Sequence, residues 1–239
     1  MAGRWVGLLF ESLAVIVSIL VAFGLDAWWS ERQARVDLLE DLASVTAEIE
    51  GNLDALAVEV LFHETAVASI DDLVGRIDAA EGDPWLTLPD TIASFAFVFP
   101  PVFDASTGAL DALVAGGGLS RLGDPRLKRV LGNVGPQIED VQDGELGARR
   151  IATEDIVPLF WESPELASSL GRSGEFRRRG LDPSPLPTRT IRLENVDGLK
   201  NRLLLRRAWV AASLRAIDRL RTDLHEALEL LERERAAGV

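Results

Sequence analysis

The sequence predicts an all-α protein in which a single N-terminal transmembrane helix continues into an elongated antiparallel helical bundle or coiled-coil domain. Three observations lead to this fold class. An apolar segment at residues 5–25 is long enough to cross a bilayer. Apolar residues then recur with heptad spacing near both ends of the remaining chain. No proline occurs before Pro84, so the first helix is expected to pass from the membrane into the domain without a break.

Residues 1–32 are predicted to form the transmembrane anchor, and residues 33–239 the soluble domain. At about 1.5 Å per residue, a helix over residues 5–25 covers roughly the 30 Å hydrocarbon core of a bilayer. No charged residue occurs between Ser12 and Leu25. Tryptophan is favoured at both membrane interfaces, and the segment carries this residue at its two ends: Trp5, Trp28 and Trp29.

Glu11 is the main objection to membrane insertion. One off-centre acid costs at most about 3 kcal/mol, whereas the Leu, Ile, Val and Phe residues of the segment together contribute about −4 to −8 kcal/mol. The competing interpretation is a signal peptide that is cleaved after residues 22–24, with Arg4 as its basic start. Glu11 fits the apolar region of such a peptide poorly, so a retained anchor is predicted.

Small and acidic residues share one face of the predicted transmembrane helix, at steps of three or four: Gly7, Glu11, Ala14, Ser18, Ala22 and Asp26. Small residues let another helix approach closely, and a carboxyl group in lipid needs a polar partner. One hypothesis is that this face packs against a second copy of the chain or another membrane protein. The alternative is that Glu11 reaches the near interface, towards Arg4, and that the small residues have no such role.

The composition excludes several classes of function. The net charge is −13, and this negative field disfavours nucleic acid as a partner. The chain has no cysteine, which excludes disulfides, thiol nucleophiles and thiolate metal sites.

The soluble domain is predicted to have three long helices, at about residues 33–80, 124–162 and 196–236. Asp124 and Pro125 suit the cap and the first turn of the middle helix. The first helix is predicted from positions at steps of three and four: Leu39, Leu42, Thr46, Ile49, Leu53, Leu56, Val60, His63, Val67, Ile70, Val74 and Ile77. The last is predicted from residues spaced seven apart: Leu203, Val210, Ile217, Leu224 and Leu231.

Shorter elements are predicted between these helices. Two short helices are expected at about residues 89–99 and 105–116, the second ending at a glycine run. Residues 163–194 are proline-rich and are predicted to form an irregular loop, in which residues 188–193 are a candidate strand. Basic residues within 172–179 either dock an acidic partner or pair with the chain's own carboxylates.

Three stretches, residues 10–16, 18–22 and 26–32, resemble the opening of a family of bacterial single-pass membrane proteins that is catalogued as a domain of unknown function. Like this chain, the members of that family have an acidic residue at the start of the membrane helix and then an apolar run rich in small residues. A Trp residue and an acidic–basic pair follow where the helix leaves the membrane. A helix, glycine turn and helix over residues 107–131 is a second similarity. The resemblance implies a helical domain in the bacterial periplasm, with the N-terminus cytoplasmic and the helix in the inner membrane. It implies no activity.

Few residues suit catalysis or metal binding. His63 lies in the heptad pattern of the first helix and is interpreted as a buried polar residue that fixes helix register or responds to protons. A buried pair with His225 could bind a metal, but neither histidine has an acid three positions before it, as di-iron bundles require. A set of acids is interpreted as a solvated helix face: Glu139, Asp140, Asp143 and Glu145. The sequence therefore predicts no catalytic residue, no cofactor and no metal.

The predicted function is that of a membrane-anchored helical interaction, sensing or scaffold protein without catalysis. It would act through packing of its transmembrane helix and through its helical domain. Its partners would be the lipid bilayer and a second copy or another membrane protein. The alternative is a subunit of an oligomeric transport or ion-conducting membrane assembly, in which Glu11 and Asp26 line a pathway. A hydrolase or metal enzyme with a scattered site is a third hypothesis.

Overall fold

A computed structural model of the chain describes residues 2–83, 85–89, 95–97, 102–160, 188–192 and 196–237. Some of these positions, including 2–12, 14 and 15, are described by their backbone alone. The helices are α1 (Ala2–Ala79), α2 (Gly108–Ala115), α3 (Gly118–Arg121), α4 (Pro125–Arg150) and α5 (Val196–Ala236). A π-helical turn (Ile151–Ile156) and a 3₁₀ turn (Val157–Phe160) follow α4. The two strands are β1 (Trp85–Pro89) and β2 (Thr188–Arg192).

The long helices α1, α4 and α5 pack side by side, with α5 antiparallel to the other two. Ion pairs join Asp71 to Arg207 and Asp78 to Lys200, so residue numbers rise along α1 as they fall along α5. The same relation holds between α4 and α5. Arg126 pairs with Glu226 near one end of α4, and Gly147 lies against Trp209 near its other end. The predicted helical class is therefore confirmed.

A two-stranded antiparallel ribbon is the exception to the helical class. Trp85 of β1 lies opposite Arg192 of β2, and the hydroxyl oxygens of Thr87 and Thr190 are 2.7 Å apart across the ribbon. The first short helix was expected at about residues 89–99, but β1 already occupies Trp85–Pro89, because Trp and Thr favour a paired strand. Residues 95–97 are helical. Most of the predicted loop at residues 163–194 lies outside the described residues.

The helix α1 buries two rows of side chains, and the apolar pattern of the sequence predicts only one of them. That row has heptad spacing: Leu42, Ile49, Leu56, His63, Ile70 and Ile77. The second buried row comprises Leu38, Val45, Asn52, Ala66 and Leu73, with half-buried Glu59 in the same register. The apolar pattern of the sequence predicts this row one residue later, from Leu39 to Val74, where the side chains are half-buried. Asn52 and Glu59 are polar, so they interrupt the apolar pattern of the row that is buried.

The apolar core is divided along the bundle. The proximal core, the one nearer to the N-terminal end of α1, includes Leu38, Leu42, Val45, Ile49 and Leu56 with their neighbours on α2, α4 and α5. The distal core comprises Ile70, Leu73, Ile77, Leu86, Ala96, Phe97, Ile151, Ile156, Leu199 and Leu203. Between them lies a small cluster of Ala66, Ala148 and Val210. Large apolar side chains therefore fill both ends of the bundle domain and leave small ones in the middle.

Polar side chains of the long helices hold the connection between α1 and α4. Asn52 makes two hydrogen bonds with the backbone of Ser106, at 2.7 and 2.9 Å. The Glu48 carboxylate accepts hydrogen bonds from the backbone N–H groups of Ala109 and Leu110, which are free N–H groups at the start of α2. Thr107, the residue at the N-cap position of α2, makes no side-chain cap hydrogen bond. The connection is thereby fixed along α1.

The N-terminal part of α1 is unlike the rest. Described side chains between residues 13 and 29 are exposed, among them large apolar ones such as Phe23 and Leu25. Over the side chains that the structure describes, none of the helices combines the length and the apolar character needed to cross a membrane. The residues from Trp5 to Ser12, on which that prediction depends, have no described side chains.

Two glycines of α4 provide a test of how closely α4 packs against α5. A Cβ atom on Gly144 would lie 2.6 Å from the Ser213 hydroxyl oxygen and 3.3 Å from the Ser213 Cα, whereas a Cβ atom on Gly132 would meet nothing within 4 Å. We expect Gly144→Ala to lower the free energy of unfolding by about 1–3 kcal/mol through overpacking. Gly132→Ala should raise it by about 0.5–1 kcal/mol, because alanine favours a helix interior over glycine. Urea unfolding measures both, and equal effects would contradict the close approach of α4 to α5.

Candidate functional site

The residues predicted for membrane-helix packing do not form a site in the described part of the chain. Ser18, Ala22 and Asp26 are exposed along α1. The side chains of Trp5, Gly7 and Glu11 lie outside the described residues. At the predicted exit from the membrane, the centres of the exposed Trp28 and Trp29 rings are 6.4 Å apart. The Arg32 guanidinium lies 5.9 Å from the centre of the Trp28 ring. Tryptophan side chains of this kind are enriched at membrane interfaces.

The bundle interior contains a second candidate, which the sequence analysis only partly identified. A layer of polar side chains crosses the bundle between the proximal and distal cores. It comprises Glu59 and His63 of α1, Glu145 of α4 and Arg206 of α5, and it is called the polar layer below. His63, Glu145 and Arg206 are fully buried, while Glu59 is half-buried. Each long helix thus contributes a titratable or charged group to the region between the two cores, with His63 and Glu145 on the proximal side of the small cluster and Arg206 on its distal side.

The two ring nitrogens of His63 have different surroundings. Nδ1 lies 2.8 Å from the backbone carbonyl oxygen of Glu59, one helical turn earlier, and a carbonyl can only accept a hydrogen bond. Nδ1 therefore carries a proton, and in the neutral ring Nε2 presents a lone pair. Nε2 lies 3.4 Å from a carboxyl oxygen of Glu145, Oε1. The histidine thus directs a potential acceptor or metal ligand at α4.

Glu145 corrects the sequence analysis, which placed it on a solvated helix face. Glu139, Asp140 and Asp143 are exposed as expected, but Glu145 is 0% exposed. Its Oε2 accepts a hydrogen bond from the backbone N–H of Phe103 at 2.7 Å, while the Gln142 side chain donates to the Phe103 carbonyl. The second carboxyl oxygen, Oε1, faces His63. The carboxyl group is therefore held in one orientation.

Arg206 approaches the layer from the distal side. Its Nη1 donates hydrogen bonds to the backbone carbonyls of Phe95 and Ala96. Its other guanidinium nitrogens, Nε and Nη2, are buried and have no hydrogen-bond partner among the described residues. Burial lowers the pKa of Arg206 to about 10, so the guanidinium remains charged at neutral pH.

The layer changes the proton affinities of its members. Burial is the main reason that the pKa of Glu145 is raised to about 8; the Phe103 N–H opposes this rise and the negative charge of Glu59 adds to it. Burial also lowers the pKa of His63 below its ordinary value, against the effect of the Glu59 carbonyl and together with the charge of Arg206. At neutral pH, Glu145 is therefore a neutral acid beside a neutral imidazole.

The periodicity of each helix contains the signal that would have identified these residues. On α4, Glu145 continues a row of buried residues at steps of four and three: Leu127, Leu131, Val134, Ile138, Val141 and Ala148. Arg206 lies in the equivalent row of α5: Leu199, Leu203, Val210, Ser213, Ile217 and Leu220. A charged residue at a core position of its own heptad row is the informative pattern. His225, which a two-histidine metal site would have needed beside His63, is exposed.

Comparison with known proteins adds no relative: no family model, curated protein or solved structure matches the chain. The resemblance of residues 10–32 to a family of bacterial single-pass membrane proteins stays a prediction.

Replacing Glu145 should remove a pH dependence of stability. In the folded protein the pKa of the Glu145 carboxyl is raised to about 8. Above the ordinary carboxyl pKa, folding therefore takes up a proton. The stability that this proton provides is lost as pH rises through 8. His63 acts in the opposite sense, because its pKa is lowered, and its contribution is lost only as pH falls below 6.5. Between these two values Glu145 is the group among the described residues whose shifted pKa contributes, at about 1.4 kcal/mol per pH unit. Glu145→Gln should flatten this slope.

The measurement is urea unfolding of the natural protein and of Glu145→Gln at several pH values between 6.5 and about 8, with a chelator present. Glu139→Gln is the matched control, since Glu139 lies on the exposed face of the same helix. An unchanged slope in Glu145→Gln would contradict a protonated carboxyl in the core.

Proposed function

We propose that this protein is a membrane-anchored helical interaction or sensing protein, or a scaffold, that acts without catalysis. Its N-terminal helix anchors it in a bacterial inner membrane, with the N-terminus cytoplasmic and the helical domain periplasmic. Residues 1–32 form the anchor and residues 33–239 the domain. In this proposal the chain belongs to the single-pass membrane family that its N-terminus resembles, and its partner is a second copy or another membrane protein.

The observation that carries the proposal is the unbroken course of α1 from Ala2 to Ala79. Its described side chains are exposed up to Arg32, and burial against the rest of the bundle begins at Leu38. Exposed large apolar side chains on several sides of one helix are unfavourable in water and favourable in lipid. A membrane environment for this part of α1 therefore accounts for its composition.

A rigid helix that is shared by two environments can couple them. A change in how α1 packs in the membrane would turn or shift the same helix where Glu59 and His63 meet α4. The bundle can respond there because the polar layer separates the proximal core from the distal core. Burial of His63, Glu145 and Arg206 prevents a substrate from reaching these groups in this conformation, which favours a transmitting role over catalysis.

Cysteine crosslinking tests both the anchor and the packing face, because the natural chain has no cysteine. Ala14→Cys and Ala22→Cys lie on the proposed packing face, and membranes that contain either variant should yield crosslinked dimers under oxidation. Leu20→Cys is the matched control: it lies two residues before Ala22 and about 200° away around the helix, so it should crosslink far less. Non-reducing gel electrophoresis of carbonate-washed membranes measures the yield.

Two results would contradict the proposal separately. Recovery of the protein from the soluble fraction, beginning at about Leu25, would remove the anchor. Membrane-bound protein with no crosslink at either alanine would remove self-association, and a different membrane protein would then have to occupy that face.

A further inference from the structure

Three side chains of the polar layer present ligand atoms to one another. One atom each from Glu59, His63 and Glu145 lies within 4.8 Å of the other two. Glu59 and His63 are one turn apart on α1, so they share a face of that helix, and Glu145 faces them from α4. Imidazole nitrogen and carboxylate oxygen are common ligands of divalent first-row metal ions.

The separation of His63 from Glu145 suits a shared metal better than a direct hydrogen bond. Nε2 and Oε1 are 3.4 Å apart, and neither atom has a hydrogen-bond partner among the described residues. Hydrogen bonds between N and O are usually about 2.7–3.2 Å long. Two ligands at about 2.1 Å from a tetrahedral ion are about 3.4 Å apart. These two buried atoms are therefore spaced as two ligands of one ion would be.

The surroundings of these ligands resemble the outer shell of a metal site. A metal-binding histidine usually donates its other ring N–H to a carbonyl or carboxylate, and Nδ1 of His63 does so to the Glu59 carbonyl at 2.8 Å. The Phe103 N–H in turn fixes Oε2 of Glu145 and leaves Oε1 directed at the histidine. Both ligands are thus oriented before an ion binds.

We propose that Glu59, His63 and Glu145 form a binding site for a divalent first-row transition-metal ion of the zinc type. The ion joins α1 to α4 within the polar layer, and a water molecule completes its coordination. The ion enters from the side of Glu59, because Glu59 is half-buried and the other two ligands are fully buried. One imidazole among the ligands favours zinc over magnesium, which prefers an octahedral set of oxygen ligands.

Charge sets the conditions for binding. Two carboxylates balance the charge of the ion, and the charge of Arg206 partly opposes it. Metal ligands bind in their deprotonated form, so protons compete with the ion and affinity rises with pH. The site belongs to the domain and requires neither membrane anchoring nor self-association, so it can be tested independently of both.

The experiment uses the untagged full-length chain in detergent micelles, stripped with a chelator and then titrated with Zn²⁺ or Co²⁺. We expect one equivalent of tightly bound ion per chain, a rise in the melting temperature, and visible Co²⁺ absorption bands. Mg²⁺ at the same concentration should give none of these. His63→Gln, Glu145→Gln and Glu59→Gln should each weaken Zn²⁺ binding by at least about 100-fold. Glu59→Gln is the variant least able to disturb folding, because Glu59 is half-buried.

His225→Gln is the matched control, since His225 is the other histidine of the chain and is exposed on α5. It should bind Zn²⁺ like the natural protein. Failure of the natural protein to bind one equivalent would overturn the proposal, as would a His225→Gln variant that loses as much affinity as His63→Gln. Circular dichroism of each variant separates a lost ligand from a lost fold.

Discussion

Burying His63, Glu145 and Arg206 between the two apolar cores of the bundle is the constraint on which the rest of the structure depends. Moving such groups out of water is unfavourable, and hydrogen bonds to Phe95, Ala96 and Phe103 offset only part of the cost. The apolar clusters on either side of the layer provide the compensating burial. Small side chains at Ala66, Ala148 and Val210 let the helices approach there.

A polar layer in this position gives the bundle a specific alignment. His63 can meet Glu145 only when α1 and α4 have one relative height and rotation, whereas apolar rows tolerate a shift of one heptad. The same α1 extends to Ala2, so its alignment in the domain also fixes the orientation of its N-terminal part. Any event that changes the contents of the layer, whether protonation or binding of an ion, therefore acts on the element that the proposed function uses.

The sequence predicted the long helices because their apolar residues repeat and because Pro84 and Pro125 mark helix ends. It could not predict which polar residues share the core. Asn52 and Glu59 interrupted the second row of α1, so the apolar row beside it was chosen. Glu145 was grouped with its acidic neighbours, although its heptad position is apolar elsewhere in α4. The contact between Glu145 and His63 depends on tertiary alignment, which local periodicity does not contain.

The state of the His63 ring tests this account most directly. Nitrogen NMR of the histidine-labelled, metal-free protein resolves both ring nitrogens, and His225 provides the comparison signal as the other histidine of the chain. The account predicts a neutral His63 ring at pH 7, with the proton on Nδ1 and a bare Nε2. A ring protonated on Nε2, or a charged imidazolium that pairs with an ionised Glu145, would contradict it.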